Sequence, residues 1–106
     1  MRDQFVQAIH DRKKVRVTFY SKEDGTTLCR KCAPMDYGPS RRTKDNFDRF
    51  HSWDYESDEK NHSLSLLPSQ VQSIEVLDEP FDPSEFITWD TKKSPWFVKR
   101  DWGEHS

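Results

Sequence analysis

The sequence predicts a mainly β fold with one N-terminal helix, the strands strongly bent into a small SH3-like or Sm-like barrel. Three observations carry this. A single short helical stripe opens the chain. Short alternating strands then follow at spacings of about ten residues, separated by turn residues. Finally, 106 residues with 32% apolar and 34% charged side chains allow one domain with a small core. Seven Phe, four Trp and three Tyr must supply much of its buried area.

The helix lies in "DQFVQAIHDRKK", where Phe5, Val6, Ala8 and Ile9 form the apolar stripe. Asp3 stands at the N-cap or in the first turn, where a carboxylate favours the helix dipole. So short a helix does not persist alone and must lie on the strands. In "VRVTFY" the period changes to two, with Val15, Val17 and Phe19 on one face and Arg16, Thr18 and Tyr20 on the other. Asp24-Gly25 signals a hairpin. In the returning strand, "TTLCRKC", Leu28, Arg30 and Cys32 share a face opposite Cys29 and Lys31.

Pro34, Gly38 and Pro39 divide the next stretch, leaving "MDYG" as a short strand or bend, and "PSRRTKDN" reads as a basic turn. "FDRFHSWDY" resumes the alternation, with Phe47, Arg49, His51 and Trp53 opposite Phe50 and Ser52. An acidic turn, "ESDEKN", precedes a strand through Leu64 and Leu66 that Pro68 ends. "QVQSIEVL" closes the compact part with Val71, Ile74 and either Val76 or Leu77 inward. Two domain segments result: a barrel over residues 1–80, and a Trp-rich C-terminal arm over 81–106, expected to dock by its aromatics. "DPSEF" begins that arm as one helical turn, with Asp82 as cap and Pro83 in the first position.

Catalytic and metal chemistry find little support. Cys29 and Cys32, the chain's two cysteines, lie three apart on a strand and so point to opposite faces. A redox pair would need a helix N-terminus, and zinc would need two further ligands, which only His51 and His62 could supply. Ser63, Ser65 and Ser69 beside His62, with Asp54 and Asp58 upstream, lack a nucleophile elbow. Three isolated glycines form no phosphate loop. The expectation is no enzyme, no cofactor and no metal. No apolar run reaches membrane-span length and no secretion signal opens the chain, so a cytoplasmic protein with free thiols and no membrane partner is expected.

Net charge is -2, but bases dominate residues 1–31 and acids dominate 75–85. A local basic face therefore stands without a general attraction to polyanions.

In order, these pieces resemble the WYL domain family, small Sm-like or SH3-like barrels of bacterial transcriptional regulators. "AIHDRKKVRVTFY" is similar to the family's helix and first strand. Arg30, Cys32 and Pro34 match its Arg-x-apolar-x-Pro pattern. Phe50 falls near its Trp-Tyr-Leu region, and Ile74 to Leu77 fit its last strand. The resemblance covers about residues 5–82. It implies a standalone sensor or binding module in transcription regulation, taking nucleic acid or a nucleotide-like ligand. "HSLSL" departs from the family: His62 stands where its ligand-contacting arginine would be, and Leu64 replaces its aromatic. No helix-turn-helix pattern precedes the first helix.

Two functional readings follow. In one, Arg41, Arg42, Lys44 and Arg49, with Phe50, Trp53 or Tyr55 and with His62, hold nucleic acid or a small anionic ligand by charge and stacking. In the other, Trp89, Trp96, Phe97 and Trp102 form a protein or homodimer interface. The second predicts that truncation after Leu77 turns a dimer into a monomer.

Overall fold

The structure is a computed structural model that describes residues 1–57 and 60–106; Asp58 and Glu59 of the expected acidic turn lie outside the described residues. The elements are helix α1 (Arg2–Asp11) and strands β1 (Lys13–Ser21), β2 (Thr26–Pro39), β3 (Asp48–Asp54), β4 (Ser63–Leu66) and β5 (Val71–Pro80). The strands form one antiparallel sheet in the order β4-β3-β2-β1-β5.

α1 buries Phe5, Ala8 and Ile9, three of the four residues of the expected stripe, and leaves Val6 half-buried. Asp3 lies in its first turn, where Met1 is the cap. Arg12 stops the helix in the left-handed region at φ 54°, and its N–H reaches back to the carbonyls of Ala8 and Ile9. A non-glycine residue there costs about 1 kcal/mol, but the turn sends the chain straight into β1.

Register follows the alternation. Val15 lies opposite Cys32, Val17 opposite Arg30 and Phe19 opposite Leu28, while Val17 meets Ile74 on β5. The same inner face continues through Pro34 with Ser52, Tyr37 with Phe50, and Phe50 with Leu66. α1 packs on β1, β2 and β5, and Phe5 meets Phe50 edge-on at 5.0 Å between ring centres.

Two expectations change here. β2 is not broken at its prolines: it runs unbroken over fourteen residues. A bulge between Pro34 and Asp36 absorbs the missing donor, and Pro39 stands at the strand's end. Nor is the sheet closed among the described residues, because β4 and β5 remain its two edges. The short link between them folds as a 3-10 turn, Pro68–Gln70. There the Gln70 side chain donates to the Tyr20 carbonyl at 3.2 Å, which ties this link to β1. On β5, Val71 and Ile74 are buried, Leu77 is half-buried, and Val76 is exposed.

Residues 81–106 join the same core, with Phe81, Phe86, Ile87 and Trp102 all buried. Asp82 caps the turn Pro83–Glu85 and accepts from the Ser84 N–H. The Trp102 indole donates to the Ile9 carbonyl at 2.8 Å, tying the arm to α1. No helix among the described residues is long and apolar enough to cross a membrane.

Candidate functional site

The bulge in β2 turns Asp36 and Gly38 onto the outer face of the sheet, opposite His51 and Arg49 of β3. The arm lies across this face. Asp36, buried, accepts the N–H groups of Phe97 at 3.0 Å and Val98 at 2.9 Å. It also pairs with the fully buried Arg100 guanidinium at 3.2 Å. Arg100 is held between Trp96 and Trp102, 4.1 and 4.4 Å from the ring centres, and donates to the Met35 carbonyl. Burial pulls its guanidinium down to about 10, with Asp36 opposing. The ion pair is thus a clamp on the arm, satisfied on both sides.

Beside the clamp, a cleft of about 560 Å³ opens between β3, β4, the basic turn and the arm. Arg41, Arg42 and Lys93 supply its positive charge; Trp89, Trp96 and Phe97 supply aromatic surface. Arg41 donates to the Pro95 carbonyl at 2.6 Å and stacks its guanidinium 4.8 Å over Phe97. The side chains of Arg42 and Lys93 make no hydrogen bond or ion pair among the described residues. Asp90 is the opposing carboxylate, engaged by the Lys92 N–H at 2.9 Å. His51 lies in the lining with both nitrogens in use, at 2.8 Å from the Gly38 carbonyl and 2.9 Å from Ser65 Oγ. Since a carbonyl only accepts, Nε2 carries a proton. The cleft can neutralise an anion and offer ring faces for stacking.

Of the residues singled out in the sequence, Arg41, Arg42, Trp89, Trp96 and Phe97 therefore meet in one place. They had stood in two rival readings. The others lie elsewhere. Arg49 is spent on Asp45, at 2.7 Å, and this pairing holds the Asp45 carboxyl down to about 2. Lys44 is exposed in the same turn and does not line the cleft. Phe50 is 3% exposed and belongs to the core, so it is corrected as a surface residue; its parity places it opposite Arg49. Trp53 stacks between His62 and Phe86, at 4.8 and 5.6 Å. Tyr55 is half-buried beneath Lys14, 4.5 Å from the ring centre, and burial pushes its phenol up. Trp102 is 4% exposed, so truncation after Leu77 would remove core as well as any interface.

Lys93, Asp36 and Arg100 were not singled out as site residues. Lys93 and Arg100 belong to the cations interleaved with the aromatics of "WDTKKSPWFVKRDWG", and Asp36 and Arg100 are 64 residues apart. Cys32 is buried and Cys29 exposed; burial, then Asp54, pushes the Cys32 thiol up. His51 and His62 do not converge on them, each bonding a different carbonyl.

No family model matches the chain, and no curated protein matches it. Among solved structures it is similar to the proteasome accessory factor B/C (PafBC) of Arthrobacter aurescens, with a TM-score of 0.62 and 17% identity. The match covers 84% of this chain and 13% of that one, so the chain spans a small part of that protein's length. At such identity the likeness is one of fold: the chain shares its architecture with one segment of PafBC.

Proposed function

We propose that the chain is a non-catalytic, WYL-like binding module, a bent SH3-like barrel whose outer cleft takes nucleic acid or a nucleotide-like anion. The observation that carries this is the convergence of Arg41, Arg42 and Lys93 with Trp89 and Phe97 around one cleft. Cations beside ring faces suit a phosphate carrying a base. The family resemblance supports a sensor role within a cytoplasmic transcription regulator, and the fold shared with a segment of PafBC supports the architecture alone. Fluorescence anisotropy with labelled single-stranded oligonucleotides and free nucleotides tests it. Affinity should fall steeply with salt, and Arg42→Ala should lower the salt slope by about one. Absence of binding at low salt refutes the reading.

A second reading, a protein or self-association surface, is favoured by Trp89 and Phe97, 39% and 46% exposed. It predicts association that tolerates salt and weakens in Trp89→Ala.

A further inference from the structure

On the other side of β4 lies a second cleft, of about 430 Å³, over the inner face between β4 and the β1–β2 hairpin. Its chemistry differs from the first. Phe19, Leu28 and Leu66 form an apolar wall, while Arg30 and Asp54 face each other across polar surface. Lys22, Glu23 and Asp24 also line it, so the lining carries both signs, two cations against three carboxylates.

Asp54 is the telling residue. Its side chain is 6% exposed, and Oδ2 is not among the fully buried polar atoms without a partner, so it keeps access to the cleft that Asp54 lines. Oδ1 accepts the Glu56 N–H at 2.8 Å. Oδ2 accepts no hydrogen bond among the described residues, and Arg30 Nε stands 3.9 Å away, too far to donate. Arg30 gives Nη1 to the Glu56 carbonyl at 3.1 Å and leaves Nη2 uncommitted among the described residues. His62 adds a third polar group. Its Nδ1 lies 2.8 Å from the Asp54 carbonyl, so that nitrogen bears the proton and Nε2 is left as an acceptor in the neutral ring.

We propose that this cleft binds a small zwitterion of the α-amino acid type. The ammonium donates to Asp54 Oδ2, the carboxylate accepts from Arg30, and an apolar side chain lies against Phe19, Leu28 and Leu66. Charge-assisted hydrogen bonds at both ends select the zwitterion, and the volume is within the range of small-ligand sites.

Titration calorimetry with the free proteinogenic amino acids tests this on the intact chain. At least one apolar amino acid should bind, while its N-acetyl and carboxamide derivatives, each lacking one charge, should bind about tenfold more weakly or worse. Arg30→Gln, at a partly exposed position, should cost a similar factor with the circular dichroism spectrum retained. The proposal is overturned if no amino acid gives heat, if both derivatives bind as well as the parent, or if Arg30→Gln leaves affinity unchanged. The derivative series uses the wild-type chain, so the test survives if Asp54→Asn fails to fold.

Discussion

The Phe97 ring lies against Gly38 so closely that a Cβ on the glycine would stand 2.7 Å from the ring carbons and 2.9 Å from Phe97 Cβ. The contact is fixed from both sides: Gly38 sits in β2, and the Phe97 N–H is held by Asp36. Gly38→Ala should therefore lift the arm, at a cost of about 1–3 kcal/mol. Urea unfolding would measure it, and adding Phe97→Ala should recover part of the loss, since the ring contacts go and only the Cβ contact at 2.9 Å remains.

Asp36 and Arg100 form a buried ion pair whose halves cannot be removed singly at low cost. Asp36→Ala should destabilise by about 3–5 kcal/mol, because it leaves a charged guanidinium among Trp96, Trp102 and backbone. Arg100→Met with Asp36→Asn should cost less than Asp36→Ala alone. Thermal unfolding of the two variants beside the wild type would show the ordering.

The Arg49–Asp45 pair gives a pH signature. Asp45 falls from an ordinary 3.8 to about 2, chiefly through its hydrogen bond to Arg49. A carboxyl depressed on folding contributes fully above its unfolded value, and the contribution is lost as pH falls through the folded one. The Asp45 carboxyl resonance should titrate near 2 in the wild type and return toward its ordinary value in Arg49→Gln. A wild-type midpoint near 4 would contradict the pairing.

The two thiols should separate by reactivity. Cys29 is exposed, whereas Cys32 is buried with its thiol pushed up by desolvation, and the thiolate is the reactive form. Ellman's reagent should modify Cys29 in the native protein and reach Cys32 only when denaturant opens the core. Equal rates for both would place Cys32 outside the core.

The strands were legible because burial is written in period two. Val15, Val17 and Phe19 alternate cleanly, and Asp24-Gly25 marks the turn, with Gly25 at φ 66°. The unbroken β2 was not legible, because prolines end strands locally and only a partner in register shows where a bulge absorbs them. The cleft was half legible. Arg41 and Arg42 stood out as cations in a turn, and the tryptophans as an interface, but nothing local says that residue 41 meets residue 95. Asp36 was least visible of all, since its role depends on Arg100, a residue far along the chain.

The Trp102–Ile9 hydrogen bond joins residues 93 positions apart, with consequences for how the chain is made. During synthesis, Phe5, Ile9 and the inner strands emerge well before Phe81, Phe86 and Trp102, which cover them. Until those three residues emerge, a nascent chain presents that uncovered apolar surface to its surroundings. Closing it afterwards means a long loop search, which slows folding. Chaperone occupancy during translation should therefore persist until Trp102 emerges, and earlier arrest should leave an adhesive intermediate rather than a folded domain.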